Sequence, residues 1–230
     1  MAWTNDGQPT SLQRYRSQGR PVIVADVGTL IRGTTWKLAV NNITNQGYYG
    51  HTENLDPDRP RKLGVLLQTP AVSKPSILIA AQHNRSLQLQ DIVQEQWINT
   101  IIHEIRKYTD RPVTIRSHPR CQLSTQLLAW NCLMEVPKKI DGTYDSYDID
   151  YRHHAVINYN SGPGIQAAIA GTRPIVGRTS LARPVGIAVS DIEHPYAVNR
   201  QQWLIEVAHT EYTLEEIKQR LWIHRLQSAL

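Results

Sequence analysis

The sequence predicts an α/β fold built on a parallel sheet of the Rossmann type. The segment NYNSGPGIQAAIAGTRPIV at 158–176 has the pattern of a strand end, a tight polar turn, a small-residue helix and a second strand. The apolar run SILIAA at 76–81 is followed by a helical period over 91–108 and by the strand PVTIR at 112–116. Strands that alternate with helices in this way form parallel sheets with right-handed crossovers.

Shorter sequence patterns predict the domain boundary, the loops and the remaining strands and helices. A cluster of Pro and Ser at 69–75 marks a boundary, so we predict a reduced N-terminal domain at 1–74 and a larger C-terminal domain at 75–230. Long polar segments at 41–62 and 141–152 have the composition of loops. The remaining predicted elements are strands at 21–26, 36–41 and 155–159, a last strand before residue 193, and helices at 8–18, near 122–134, at 199–209 and at 213–226.

The turn inside the segment 158–176 has the chemistry of an anion site. Ser161 is suited to the N-cap of the following helix, Pro163 to its first turn, and Gly171 to its end. Gly162 and Gly164 leave room for close approach, and the helix dipole favours negative charge at this end. Glycines that only make a tight turn would look the same, so this segment alone does not decide between the two interpretations.

Composition narrows the class of protein. The 230 residues carry a formal net charge of +5, and arginine supplies most of the positive charge, which favours a polyanionic ligand because arginine pairs bidentately with phosphate. A solvated basic surface is the alternative. Cys121 and Cys132 make neither a disulfide framework nor a metal motif. Because no apolar run is long enough to span a bilayer and no leader segment is apparent, we expect a soluble, cytoplasmic protein.

Three segments that are distant in sequence should meet at one edge of the sheet. The carboxyl ends of parallel strands converge there, and ligands of open α/β sheets bind at that edge. Arg116 and Arg120 would add charged, bidentate donors to the backbone N–H groups of the Ser161 turn. The three converging segments are 82–86, 117–120 and 160–164.

At these residues the chain resembles a known family. The segments IRSHPR at 115–120 and NSGPGIQAAIAGTRPIV at 160–176 resemble the HP motif and the serine motif of glycosyltransferases with the GT-B fold. The resemblance implies two Rossmann-like domains with parallel sheets that face each other across a cleft, the N-terminal one being reduced here. The order of YTDRPVTIRSHPR and then the NSGPG turn is also similar to small glycosyltransferase-like proteins of tailed phages, some of which modify hydroxymethylated bases in DNA.

The resemblance implies a donor site in the C-terminal domain. A UDP-sugar would be the co-substrate; no metal is required, although a loosely bound divalent ion is compatible with the motifs. Glu193 would bind the ribose hydroxyls, and the HP and serine motifs would bind nucleotide and phosphate. The donor-binding residues expected on this basis are Gln82, Ser86, Arg116, His118, Arg120, Asn160, Ser161, Gly162, Gly164 and Glu193.

The N-terminal part should then supply the acceptor side and a general base. An inverting transfer needs a group that removes the proton of the acceptor hydroxyl, and Asp26 at a strand end is the first candidate. His51, Asp56 and Asp58 in the long loop are rivals, and Asp26 as a turn-forming residue is an equal alternative. A retaining mechanism would not need this base.

The function expected from these observations is glucose transfer from UDP-glucose to a hydroxymethylated pyrimidine of DNA, such as 5-hydroxymethylcytosine. If phage-encoded, the protein would act in the host cytoplasm. Two alternatives stay open: a GT-B enzyme that acts on a cell-surface saccharide, and a non-catalytic module that binds nucleotide or nucleic acid. The residues expected to contact DNA phosphates are Arg32, Arg59, Arg61 and Lys62.

Overall fold

The structure, a computed structural model, describes residues 14–15, 17–70, 73–84, 86–89, 92–123, 132–143 and 146–230. No helix within these ranges is long and apolar enough to cross a membrane. In chain order, the elements are β1 (Ile23–Val27), β2 (Thr35–Val40), α1 (Arg59–Lys62), β3 (Lys74–Ala80), α2 (Gln94–Ile105), β4 (Val113–Arg116), β5 (Leu133–Glu135), β6 (Lys138–Lys139), β7 (Tyr147–Asp148), β8 (His153–Asn158), α3 (Gly162–Ile169), β9 (Arg173–Val176), α4 (Gln201–Ala208), β10 (Glu211–Thr213), α5 (Leu214–Lys218) and α6 (Ile223–Leu226).

A five-stranded parallel sheet forms the centre of the fold, as predicted. Its strand order is β5-β4-β3-β8-β9, and each neighbouring pair runs parallel. Helix α2 covers one face, where Ile98 and Ile102 are fully buried against Ile77 and Ile115. Each such side chain contributes about 1.5 to 3 kcal/mol through removal of its apolar surface from water.

Helix α3 packs on the opposite face, and its small residues allow it to lie close to the sheet. A Cβ atom at Gly164 would lie 2.7 Å from Cγ1 of Val176 in β9. Gly164 therefore allows close packing on β9, and it is not among the residues that line the cleft. Gly171, with φ of +79°, follows the helix as predicted.

The N-terminal strands do not form the predicted parallel sheet. β1 and β2 pair antiparallel, and β10 adds to the other edge of β2, also antiparallel. The reason is the short connection at 28–34, because a parallel crossover needs about a dozen residues or more. The domain division at residue 75 stays a prediction; β10, from beyond that boundary, belongs to the same sheet as β1 and β2.

Three other elements differ from the predictions. The helix predicted near 122–134 ends in strand β5, and its residues 124–131 lie outside the described ranges. The helix predicted at 213–226 is divided into α5 and α6 by Arg220, whose φ is +60°. The strand predicted before Glu193 is a short 3-10 turn at Val189–Asp191. The predicted helix at 8–18 falls largely on residues that are not described.

Candidate functional site

A cleft of about 760 Å³ lies at the carboxyl edge of the parallel sheet. The loops after β3, β4 and β8 meet there, as expected from the strand order. The lining also includes the turn after β1 and the segment 146–152, in which Asp150 bonds to Ser73 just before β3. Of the residues expected to bind donor or nucleic acid, those that line the cleft are Arg32, Gln82, Ser86, Arg116, His118, Ser161 and Gly162.

Arg116 provides the buried positive charge of the cleft. It is the last residue of β4 and is only 4% exposed. Its guanidinium lies over the ring of Tyr151, with Cζ 4.9 Å from the ring centroid. Nη1 is buried and has no hydrogen-bond partner among the described residues. A charged donor without a partner is costly inside a protein, so this atom is suited to an anionic ligand.

The N-terminus of α3 lies at the same cleft. Ser161 occupies the N-cap position, but its hydroxyl bonds with the Asn158 side chain, and within the described chain no side chain caps the first turn. The helix therefore presents backbone N–H groups and the positive end of its dipole. Gly162 lines the cleft, and a Cβ atom there would lie 3.2 Å from Cγ2 of Thr29.

Gln82 and Asn160 hold two loops of the site together. Nε2 of Gln82 donates to Oδ1 of Asn160 at 3.0 Å, and the backbone N of Asn160 donates to Oε1 of Gln82 at 3.1 Å. Nδ2 of Asn160 donates to the Gln88 carbonyl and to the Thr179 hydroxyl. Asn160 does not line the cleft, and these bonds fix the loops rather than present the amide to a ligand.

The HP loop lies beside a second histidine. Nδ1 of His118 accepts a bond from the backbone N of Arg120 at 3.1 Å, which fixes the imidazole as an acceptor on that side. The rings of His118 and His83 are edge to face, with centroids 5.1 Å apart, and both line the cleft. Arg120 is exposed and does not line it.

Glu193 lies away from the predicted donor site. Its carboxylate pairs with Arg111, through Nε at 2.7 Å and Nη2 at 3.0 Å, and accepts from the Thr109 hydroxyl at 2.5 Å. Arg111 precedes β4, so this cluster is at the amino edge of the sheet, opposite the cleft. The bond from Arg111 lowers the pKa of Glu193 to about 2. The expected ribose contact does not fit this position.

The carboxylates expected to act as base also lie outside the cleft. Asp26 accepts from the Gln88 amide at 3.2 Å and from the adjacent Val27 N–H at 2.9 Å. Neither Asp26 nor the rivals Asp56, Asp58 and His51 line the cleft. The expectation assumed a parallel N-terminal sheet, whereas β1 and β2 pair antiparallel.

Two carboxylates missed by the sequence analysis do line the cleft. Asp150 is engaged: it accepts from Nε of Arg152 at 3.0 Å and from the Ser73 hydroxyl at 3.1 Å. Burial raises the pKa of Asp150, but the bonds from Arg152 and Ser73 outweigh it and hold the value at about 2. Asp148, in β7, is exposed to the cleft. Both belong to the polar insertion at 141–152, which carried no recognisable motif.

The basic residues of the long loop do not form a free patch. Arg59 bonds to the carbonyls of Ala208 and Glu211 and pairs with Glu216 at 2.7 Å. Because its side chain is only 14% exposed, Arg59 stabilises the fold and does not face a nucleic acid. Lys62 pairs with Asp56, which lowers the pKa of that carboxyl. Arg61 is 72% exposed, 3.4 Å from Asp58.

Glu211 is a third carboxylate that the sequence analysis missed. This carboxylate in β10 is fully buried and accepts bonds from the turn after β1. Its only sequence signal is the β-rich triplet EYT, which is too short to separate from the following helix.

Metal ligands are not grouped at the cleft in the part of the chain that the structure describes. Within those ranges, no three or more His, Cys, Asp or Glu side chains are placed to hold a metal ion.

The five-stranded parallel sheet and the cleft at its carboxyl edge define an α/β protein with a GT-B-like fold. Among solved structures, the chain is similar to KpsC of Thermosulfurimonas dismutans, described as a beta Kdo 2,7 transferase. The TM-score is 0.50 with 14% identity, over 87% of this chain and 76% of that chain. At this identity the likeness shows the fold alone. No family model and no curated protein matches the sequence.

Proposed function

We propose that the protein is a nucleotide-sugar-dependent glycosyltransferase whose donor diphosphate binds between Arg116 and the N-terminus of α3. Two observations carry the proposal: Arg116 lines the cleft, and its buried Nη1 has no hydrogen-bond partner among the described residues. A diphosphate oxygen would remove the cost of that unpaired charged donor, which is about 1 to 3 kcal/mol.

The same groups suit the transfer step. Cleavage of the bond between the sugar and the diphosphate leaves negative charge on the departing phosphate oxygen. A buried guanidinium and uncapped helix N–H groups stabilise that charge where it develops, without reorganisation. Catalysis by charge stabilisation of this kind needs no metal ion, so we propose that a divalent ion is dispensable.

For the general base we propose Asp148 in place of Asp26. Asp148 lines the cleft, whereas Asp26 bonds to Gln88 outside it. Asp150 lines the cleft as well, but its oxygens already accept from Arg152 and Ser73. A carboxylate exposed to the cleft can remove the proton of an acceptor hydroxyl as that oxygen attacks the anomeric carbon.

For the substrates we propose glucose from UDP-glucose and a hydroxymethylated pyrimidine of DNA. The net charge of +5 supports a polyanionic acceptor, and Arg32 and Arg152 supply positive charge on the walls of the cleft. The target base would leave the stack to bring its hydroxymethyl group into the cleft. We propose that the reaction takes place in the cytoplasm, where both substrates are found.

The test is transfer of radiolabelled glucose from UDP-glucose to duplex DNA that contains 5-hydroxymethylcytosine, with unmodified DNA as the control. Label on the modified duplex alone, abolished by Arg116→Met, is the expected result. Binding of UDP-glucose without label on either duplex would remove this acceptor and direct the assay to saccharides. Absence of donor binding would favour a non-catalytic module and contradict the proposal.

A further inference from the structure

A second arginine lines the cleft and comes from a turn that packs against α3. Arg32 is part of the turn at 28–34, between β1 and β2, and lines the cleft together with Gly28 and Thr29. The sequence analysis expected Arg32 to contact DNA phosphates. Its place within the cleft calls for a ligand that enters the cleft.

The turn that carries Arg32 is held by the buried carboxylate of Glu211. Oε1 accepts from the backbone N and the hydroxyl of Thr29, both at 2.6 Å, and Oε2 accepts from the Thr35 hydroxyl at 2.7 Å. Oε2 also accepts from the backbone N of Leu30 at 3.1 Å. A Cβ atom at Gly28 would lie 2.6 Å from Oε2, so a larger residue would displace the carboxylate or the turn.

The same turn is docked on the N-terminal part of α3. The side-chain amide of Gln166 donates to the Thr29 carbonyl, and Thr29 lies against Gly162. The turn therefore has a fixed position beside the helix N-terminus at which we propose the donor phosphate binds.

Tyr151 lies close to both arginines. Its ring stacks against the Arg116 guanidinium, and burial raises the pKa of its phenol. The charge of Arg116, a hydrogen bond with the Arg116 side chain and the charge of Arg32 partly offset that effect on the pKa. Two guanidinium groups from distant parts of the chain thus approach one region of the cleft.

We infer that Arg32 is a second binding residue for the donor's diphosphate, beside Arg116 in the same cleft, and that Glu211 positions it by holding its turn. The inference rests on the proposed function, which supplies the ligand. Two arginines that line one cleft match the two phosphates of a nucleoside diphosphate, since each guanidinium can bond to one phosphate in a bidentate manner.

The experiment is isothermal titration calorimetry with UDP, uridine and inorganic pyrophosphate as probes. Arg32→Ala should weaken UDP and pyrophosphate about tenfold and leave uridine unchanged, because only the phosphate contact is lost. Arg32→Lys should restore part of the affinity. Arg61→Ala removes an exposed arginine outside the cleft and should change none of the three affinities.

The positioning role needs a readout that a general loss of stability would not change. Thr35→Val keeps the shape of a buried residue and removes one hydrogen bond to Glu211. Alone, it should weaken UDP binding about threefold; in the Arg32→Ala background it should cause no further loss, because the residue it positions is absent. Additive losses would refute positioning of Arg32 through this turn.

The outcomes separate the inference from the proposed function. UDP affinity that is unchanged in Arg32→Ala but lost in Arg116→Met would overturn the inference and leave the proposed function intact. Wild-type protein that binds neither UDP nor pyrophosphate would overturn both. If the protein binds pyrophosphate but not UDP, and Arg32→Ala weakens the pyrophosphate affinity, the result would support diphosphate binding by Arg32 and contradict a nucleotide-sugar donor.

Discussion

Replacement of Arg116 by methionine should remove donor binding without removing stability. Methionine matches the aliphatic part of arginine and has no charge, so it occupies the site beside Tyr151 without a polar group that needs a partner. The substitution relieves the cost of the unpaired Nη1, about 1 to 3 kcal/mol, and loses the cation–π contact with Tyr151, about 1 to 2 kcal/mol. The two effects nearly cancel, so the free energy of unfolding should change by less than about 1 kcal/mol.

Donor binding should respond very differently to the same substitution. A lost charge-assisted bond to phosphate corresponds to about 1.5 to 3 kcal/mol, or roughly a 10- to 100-fold weaker affinity for UDP. Urea unfolding gives the stability, with an unchanged m-value as the sign of an intact two-state transition, and calorimetry gives the affinity.

The reverse result would refute the reasoning. A buried arginine that is fully paired in the native state costs about 3 to 5 kcal/mol when removed. Destabilisation of that size, together with unchanged UDP affinity, would show that Arg116 is a structural residue and that the cleft does not bind the donor through it.

Three further predictions follow from the environment of individual residues. Asp148→Asn should lower kcat about 100-fold or more with UDP affinity unchanged, whereas Asp26→Asn should change neither; the opposite result would return the base role to Asp26. Burial and nearby Lys74 lower the pKa of His153 to about 4, below its unfolded value of about 6.5, so the unfolded chain binds the extra proton first. The contribution of neutral His153 to the free energy of unfolding is therefore fully present above about pH 6.5. Urea unfolding should show that this contribution is about 2 kcal/mol smaller at pH 5. A His153→Gln variant with the same pH dependence as the wild type would contradict this. Arg59→Ala should destabilise the protein by about 2 to 4 kcal/mol without changing the salt dependence of DNA binding, because its bonds are internal; a stable variant with a reduced salt slope would restore the DNA role.

The central sheet and its binding edge were predictable because both depend on local patterns. Alternating strands and helices predicted the parallel sheet, and the order of the strand-end loops predicted that Gln82, His118 and Ser161 would meet. The segment around Ser161 also gave the correct start and end of α3. Each of these features depends on residues within a single strand, turn or helix.

The N-terminal part of the site was not predictable in the same way. The role of Glu211 depends on hydrogen bonds to Thr29 and Thr35, 182 and 176 residues away, and no local pattern records such a pairing. Similarly, the two glycines of the turn look equivalent in sequence. Only the packing on β9 shows that Gly164 serves the helix, while Gly162 faces the cleft.

The sheet formed by β1, β2 and β10 has a consequence for how the chain is made. Two isolated antiparallel strands are marginal in water, and their third strand is translated late, with 176 residues between Thr35 and Glu211. At about 5 to 20 residues per second, a ribosome needs roughly 10 to 35 seconds to cover that distance. During this time the edge of β2 that later pairs with β10 is open to other strands. A chain whose synthesis ends before β10 would therefore keep an aggregation-prone edge.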